Sequence, residues 1–169
     1  MTESINSLLG RDAVEYDFDL PSCMYALKYD ELTELERLNL IDLVNLQLAY
    51  DHGWRIVPFM TSFEVFNPYG HRVWNNDSTR LNRKLHFTEG VFKVIPDYWN
   101  DVRQALLLFA HQRDIRLHID PMGFDLQWKV GYECVGNRYI PGSGSYYDLP
   151  EAIVRAYVAF KTYEKEVGF

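Results

Sequence analysis

Long apolar runs are missing from this chain. The longest unbroken one is Ala105 to Ala110, far short of the roughly 20 residues a membrane-spanning helix needs, so no such helix is expected. The opening MTESINSLLGRDAVEYDFDL has neither a basic start nor an apolar stretch and does not read as a secretory signal. Cysteine is scarce: Cys23 and Cys134 are the two, and neither belongs to a Cys-x-x-Cys pair. That excludes a disulfide-dense scaffold and a zinc ribbon, and it suits buried thiols in a reducing cytoplasm, with one bridge between them left open. Positive charge is scarce in the first third. Residues 1–51 set eleven acids against Arg11, Lys28 and Arg37, a balance of −8, whereas residues 52–169 set fourteen bases against thirteen acids. An acidic third of this kind argues against general nucleic-acid binding, and its carboxylates are too dispersed for a mimic of DNA.

Aromatic residues, by contrast, are abundant. Twelve Tyr and ten Phe exceed what a minimal core requires, so the choice lies between a ring-rich core and rings displayed for contact. At 169 residues the chain can bury about two thirds of its unfolded surface around one core without staples.

Periodicity and turn chemistry divide the chain. Residues 1–30 show no sustained period and read as an acidic, irregular arm whose Tyr16, Phe18, Tyr25 and Tyr29 dock it on the body. Residues 31–169 read as one α+β domain. A first helix is expected from about Glu31 to Tyr50, with Thr33 and Glu36 as a capping box and Gly53 as its left-handed end. Its leucines are not confined to one face, which predicts cover on more than one side, by other elements or by a second copy in a homodimer through helix 31–50. Strands are expected over Trp54 to Met60, Ser62 to Phe66 and His71 to Trp74, with Asn67-Pro68-Tyr69-Gly70 as a turn and a further short strand over Val91 to Ile95. A second helix follows Pro96, capped by Asp97, with a stripe of Tyr98, Val102, Ala105, Leu106 and Phe109. Ile115 to Ile119 and Phe124 to Val130 then form a hairpin turned at Asp120-Pro121-Met122-Gly123, and Gly136 to Ser145 is a linker. The last helix opens at Asp148, with Glu151 completing a capping box and Ile153, Ala156 and Phe160 on its inner stripe. The expected order is α-β-β-α-β-β-α, an antiparallel sheet with helices packed on it. A faint duplication runs through it, helix then strands in each half.

Three segments carry a family resemblance. "LIDLVNLQLAYDHGWRIVP" (Leu40 to Pro58) leads a helix through Gly-Trp into a strand. "DYWNDVRQALLLF" (Asp97 to Phe109) sets Trp99 early in a helix, and "LPEAIVRAYVAF" (Leu149 to Phe160) closes after Tyr146-Tyr147-Asp148. In this order they resemble the phage ABA-sandwich domain family over about residues 40–163; the middle loop here is longer and more basic. The resemblance implies a helix–sheet–helix sandwich and a bacteriophage source, hence work in the host bacterial cytoplasm. It implies no reaction, cofactor or catalytic residue.

The residues offer few chemical constellations. His118 and Asp120 would share one face of a strand, but with His52, His71 and His86 they show no metal-ligand spacing. His118 is expected to be a hydrogen-bonded residue at a sheet edge, and neither metal nor cofactor is expected. Ser143 and Ser145 stand outside any nucleophile-elbow pattern, and Asp17 and Asp19 sit in the arm. The segment from 136 to 145 occupies the place of a phosphate cradle, yet Asp148 would repel an anion there. Between Trp54 and Lys93, rings and bases interleave. Arg72, Arg80, Arg83 and Lys84 are the expected anion contacts, with Tyr69 and Trp74 as stacking rings; a solvated loop beside ordinary strand aromatics is the competing reading. The expectation is a non-enzymatic phage protein that blocks a host defence. It would either sequester a nucleotide signal or dock on an effector protein in the manner of an anti-CRISPR. A small nucleotide hydrolase and a purely structural role are the alternatives.

Overall fold

Helices introduce short antiparallel meanders twice along the chain. The computed structural model describes residues 20–59, 62–75, 94–112, 115–122, 127–134, 138–146 and 148–167. In order the elements are α1 (Leu20–Tyr29), α2 (Glu34–Asp51), β1 (Arg55–Phe59), β2 (Ser62–Phe66), β3 (Arg72–Asn75), α3 (Val102–Leu107), β4 (Arg116–Met122), β5 (Gln127–Cys134), β6 (Arg138–Tyr146) and α4 (Leu149–Val167). The fold is α+β, and among the described residues every strand pairing is antiparallel. Its strands form two three-stranded sheets, β1-β2-β3 and β4-β5-β6, rather than the single expected one. Each sheet is a meander in sequence order, so every pairing is local and neither sheet needs a crossover. No helix among the described residues is long and apolar enough to cross a membrane.

The chain divides into two compact units, one made of residues 1–19 and 33–96, the other of residues 20–32 and 97–169. In the first, the capping box at α2 is present: the Glu36 N–H donates to Thr33 Oγ1 at 3.2 Å and the Thr33 N–H to Glu36 Oε2 at 2.9 Å. The far end closes as a Schellman motif. Gly53 sits at φ +94°, with its N–H donating to Tyr50 O at 3.1 Å and the Trp54 N–H to Ala49 O at 3.0 Å. Between these ends the helix has two characters. Ile41, Leu43, Val44, Leu46, Leu48 and Ala49 are buried all round the axis, whereas Leu35 and Leu38 stand exposed. Ile56 and Val65, directly opposite each other on β1 and β2, are also buried.

In the second unit α4 is the organising element and packs against β5, β6, α3 and α1. Ile153, Ala156, Tyr157 and Phe160 are buried as the stripe requires, and Val154, Arg155 and Val158 are buried beside them. Phe160 meets Tyr132 of β5 edge-on at 5.2 Å, and Tyr157 meets Phe109 edge-on at 5.4 Å, the geometry that ring quadrupoles favour.

Four expectations need correcting here. Residues 20–29, assigned to the irregular arm, are helical, because Pro21 presets the first turn and Cys23, Met24 and Leu27 share a buried side. Asp97 caps only a turn, accepting from the Asn100 N–H at 3.3 Å, and the helix cap is Asp101, four residues on, accepting from the Arg103 N–H at 2.9 Å. With that phase the third helix buries Ala105, its C-cap Leu108 is buried beyond it, and Leu106 is left exposed. Asp120, Pro121 and Met122 are the last paired residues of β4, not a turn. Residues 138–146 form β6 on the edge of the second sheet, not a linker. Proline explains the last two: Pro121 and Pro141, like Pro58 in β1, lie on edge strands, where a missing N–H is tolerated. Of the strand expected over Val91 to Ile95, residues 91–93 lie outside the described residues and Ile95 is a buried bend.

Candidate functional site

The β2–β3 hairpin carries half of the residues expected to bind. Its tip is built by Asn67. The Asn67 carbonyl accepts the Gly70 N–H at 2.9 Å, and its side-chain Oδ1 accepts the Tyr69 and His71 N–H groups, both at 3.0 Å. Pro68 presets the second turn position, and Gly70 takes φ +81° with open space where a Cβ would stand. The result is a rigid tip from which Tyr69 projects with 83% of its surface exposed.

Arg72 follows on β3, half exposed, with its guanidinium 3.2 Å from Glu64 on β2. Part of its charge is therefore already answered within the sheet. Trp74 is two residues further along β3 and pairs in register with Val65. Tyr69, Arg72 and Trp74 thus belong to one hairpin, while Arg80, Arg83 and Lys84 lie outside the described residues. Arg55, another base of the interleaved set, serves the helix end: it donates to the carbonyls of Tyr50 at 3.1 Å and Trp54 at 2.7 Å, with its guanidinium over the Tyr50 ring.

The other constellations resolve into structure. His118, on the edge strand β4, lies 3.1 Å from Glu133 on β5. Cys23 is a buried thiol that takes part in no disulfide. Ser145 pairs with Lys129 inside the second sheet. Among the described residues no three His, Cys, Asp or Glu side chains gather as a metal site.

Sequence reasoning missed a cleft in the second unit. It lies between α1 and α4, has a volume of about 430 Å3, and is lined by Tyr25, Lys28 and Tyr29 from one helix and Tyr163 and Glu166 from the other. The signal was the spacing of Tyr25 and Tyr29, one helical turn apart, which only acquires meaning once residues 20–29 are known to be helical.

Compared with protein-family models, with curated proteins and with solved structures, the chain matches none.

Proposed function

We propose that this chain acts by binding rather than by catalysis, as a bacteriophage accessory protein that counteracts a host defence from within the host cytoplasm by docking on a defence protein. The phage setting rests on the resemblance over residues 40–163. The mode of action rests on the hairpin tip: Tyr69, 83% exposed on a turn that Asn67 holds rigid, with Arg72 beside it. Tyr and Arg are the residue types that concentrate binding energy in protein interfaces, and a pre-ordered turn loses little entropy on docking. So exposed a tip suits the surface of a large partner better than enclosure of a small molecule, most of whose surface must be buried.

A nucleotide signal is the second reading, favoured by the bases of 72–84, and one experiment separates both from hydrolysis. Pure protein is incubated with cyclic and ADP-ribose-type nucleotides, and the bound and free fractions are then analysed. No retention supports docking on a protein. Recovery of unchanged nucleotide supports sequestration, and turnover refutes the non-enzymatic reading. If a nucleotide is retained, Arg80→Ala, Arg83→Ala and Lys84→Ala together must weaken it by at least about ten-fold, since one charge-assisted contact is worth about 1.5–3 kcal/mol.

A further inference from the structure

The α1–α4 cleft lies in the other unit from the hairpin, and its chemistry is independent of the docking reading. Its helices are set by buried contacts. Arg155, 3% exposed, donates through Nη1 to the Met24 carbonyl of α1 at 2.8 Å. Through Nε and Nη2 it donates to Glu151 Oε1 on its own helix, at 3.1 and 3.0 Å. A buried hydrogen bond in the wall of the cleft thus ties α1 to α4 whether or not the cleft is filled, which favours a pre-organised cleft. Its volume of about 430 Å3 falls in the range that holds a small organic molecule.

The lining is graded. The buried part holds Met24 and Val158 together with Arg155, whose guanidinium is bonded to Glu151 and to the Met24 carbonyl. The open part is aromatic: Tyr25 and Tyr29 are 61% and 60% exposed, with ring centroids 4.7 Å apart, and Tyr163 lines it from α4. Rings left this open in a concave site gain by being covered, and their faces attract cations. One cation is already there, since the Lys28 ammonium stands 5.1 Å above the Tyr29 ring. Glu166 adds a negative charge to the lining, and the positive charge of Arg155 is met by Glu151. Lys28 alone would favour an anion, and its ammonium lies on a ring face.

We propose that this cleft binds an organic ammonium cation with an apolar body, held by the faces of Tyr25, Tyr29 and Tyr163 and by the charge of Glu166, and that Lys28 is its built-in competitor. An external cation displaces the Lys28 ammonium from the Tyr29 ring, while the apolar body lies on Met24 and Val158. The sign of the Lys28 effect distinguishes this reading from all others. A lysine that held an anion would be needed for binding; a lysine that competes with a cation is an obstacle to it.

The test is a chemical-shift titration of the full chain with three probes that share a benzyl group: benzyltrimethylammonium, benzyl alcohol and phenylacetate. The cation should shift the amides of residues 21–29 and 158–166 saturably and bind more tightly than the alcohol by about two- to five-fold, the worth of an exposed cation–ring contact. Lys28→Gln should tighten the cation by about the same factor, and Tyr29→Leu and Glu166→Gln should each weaken it as much. Tyr29→Phe keeps the ring and must keep binding, which guards against a loss that merely reports misfolding. Preference for phenylacetate, or weaker cation binding in Lys28→Gln, overturns the proposal in favour of an anion. Equal affinity for alcohol and cation, or no saturable shift with any probe, overturns it outright. None of these results bears on the hairpin, whose nucleotide assay uses different ligands and variants.

Discussion

Arg155→Met is the most informative single change in the second unit. The side chain it removes is 2% exposed and bonded to Glu151, itself 12% exposed, and to the Met24 carbonyl, and its guanidinium lies 5.2 Å from the centre of the Trp99 ring. Methionine matches the stem but leaves the Glu151 carboxylate charged in a dry place. Breaking a buried pair from one side costs about 3–5 kcal/mol, a large share of a total stability of about 5–15 kcal/mol. Adding Glu151→Gln removes the stranded charge. What then remains is the lost donor to Met24, about 1.5–3 kcal/mol for a bond to a charged group. The double variant should therefore be more stable than Arg155→Met alone, by about 2 kcal/mol. Urea unfolding followed by tryptophan fluorescence gives the free energies, and hydrogen exchange at the α4 amides assigns the loss to this unit. A loss below about 1 kcal/mol in the single variant, or a double variant no more stable than the single, would refute the view of Arg155 as a buried charge held by its partners.

Other substitutions probe the remaining elements. Phe160→Ala should cost about 3–5 kcal/mol in the same titration, because Phe160 is buried against Tyr132 and Phe109; a loss under about 1 kcal/mol would remove it from the core. Thr33→Ala should cost about 1 kcal/mol through the lost cap of α2, and Thr33→Asp should restore it. Gly70→Ala and Gly53→Ala should each cost the strain of a left-handed backbone, about 1–2 kcal/mol, since open space surrounds the one new Cβ and the other meets Pro68 at an ordinary packing distance of 3.4 Å; a loss at Gly53 well above that at Gly70 would show the Pro68 contact to be a clash. Light scattering at high micromolar concentration should report a dimer formed through Leu35 and Leu38, which Leu35→Glu with Leu38→Glu returns to a monomer; a monomer from the start refutes self-association through α2.

Legibility followed locality. The ends of α2 were readable because Thr33, Glu36 and Gly53 act within a few residues of themselves, and the Asn67–Gly70 turn because Pro68 and Gly70 each have one conformational task. Elements made by their partners were not readable. The β6 sequence RYIPGSGSY has no alternation to announce a strand, and its order comes from pairing with β5 around an irregularity between Lys129 and Gly131. At α3, two aspartates four residues apart both suit a cap, and only the described backbone decides for Asp101. For α1, ten residues are too few to hold a helix on propensity, so its stability depends on α4, which the local sequence does not contain. The candidate binding residues divide the same way: Tyr69 was legible through its turn, whereas the tyrosines of α1 were hidden with their helix.

The pairing of α1 with α4 has a consequence for how the molecule is made. The bond from Arg155 to Met24 joins residues 131 apart in the chain, and the whole of residues 33–96 lies between the two pieces of the second unit. A growing chain therefore releases α1 early and must hold it without its neighbour while the intervening unit is synthesised and can already fold. At about 5–20 residues per second, that interval lasts from several seconds to nearly half a minute. During it Met24 and Leu27, both buried in the folded unit, are open to any other apolar surface until α4 arrives.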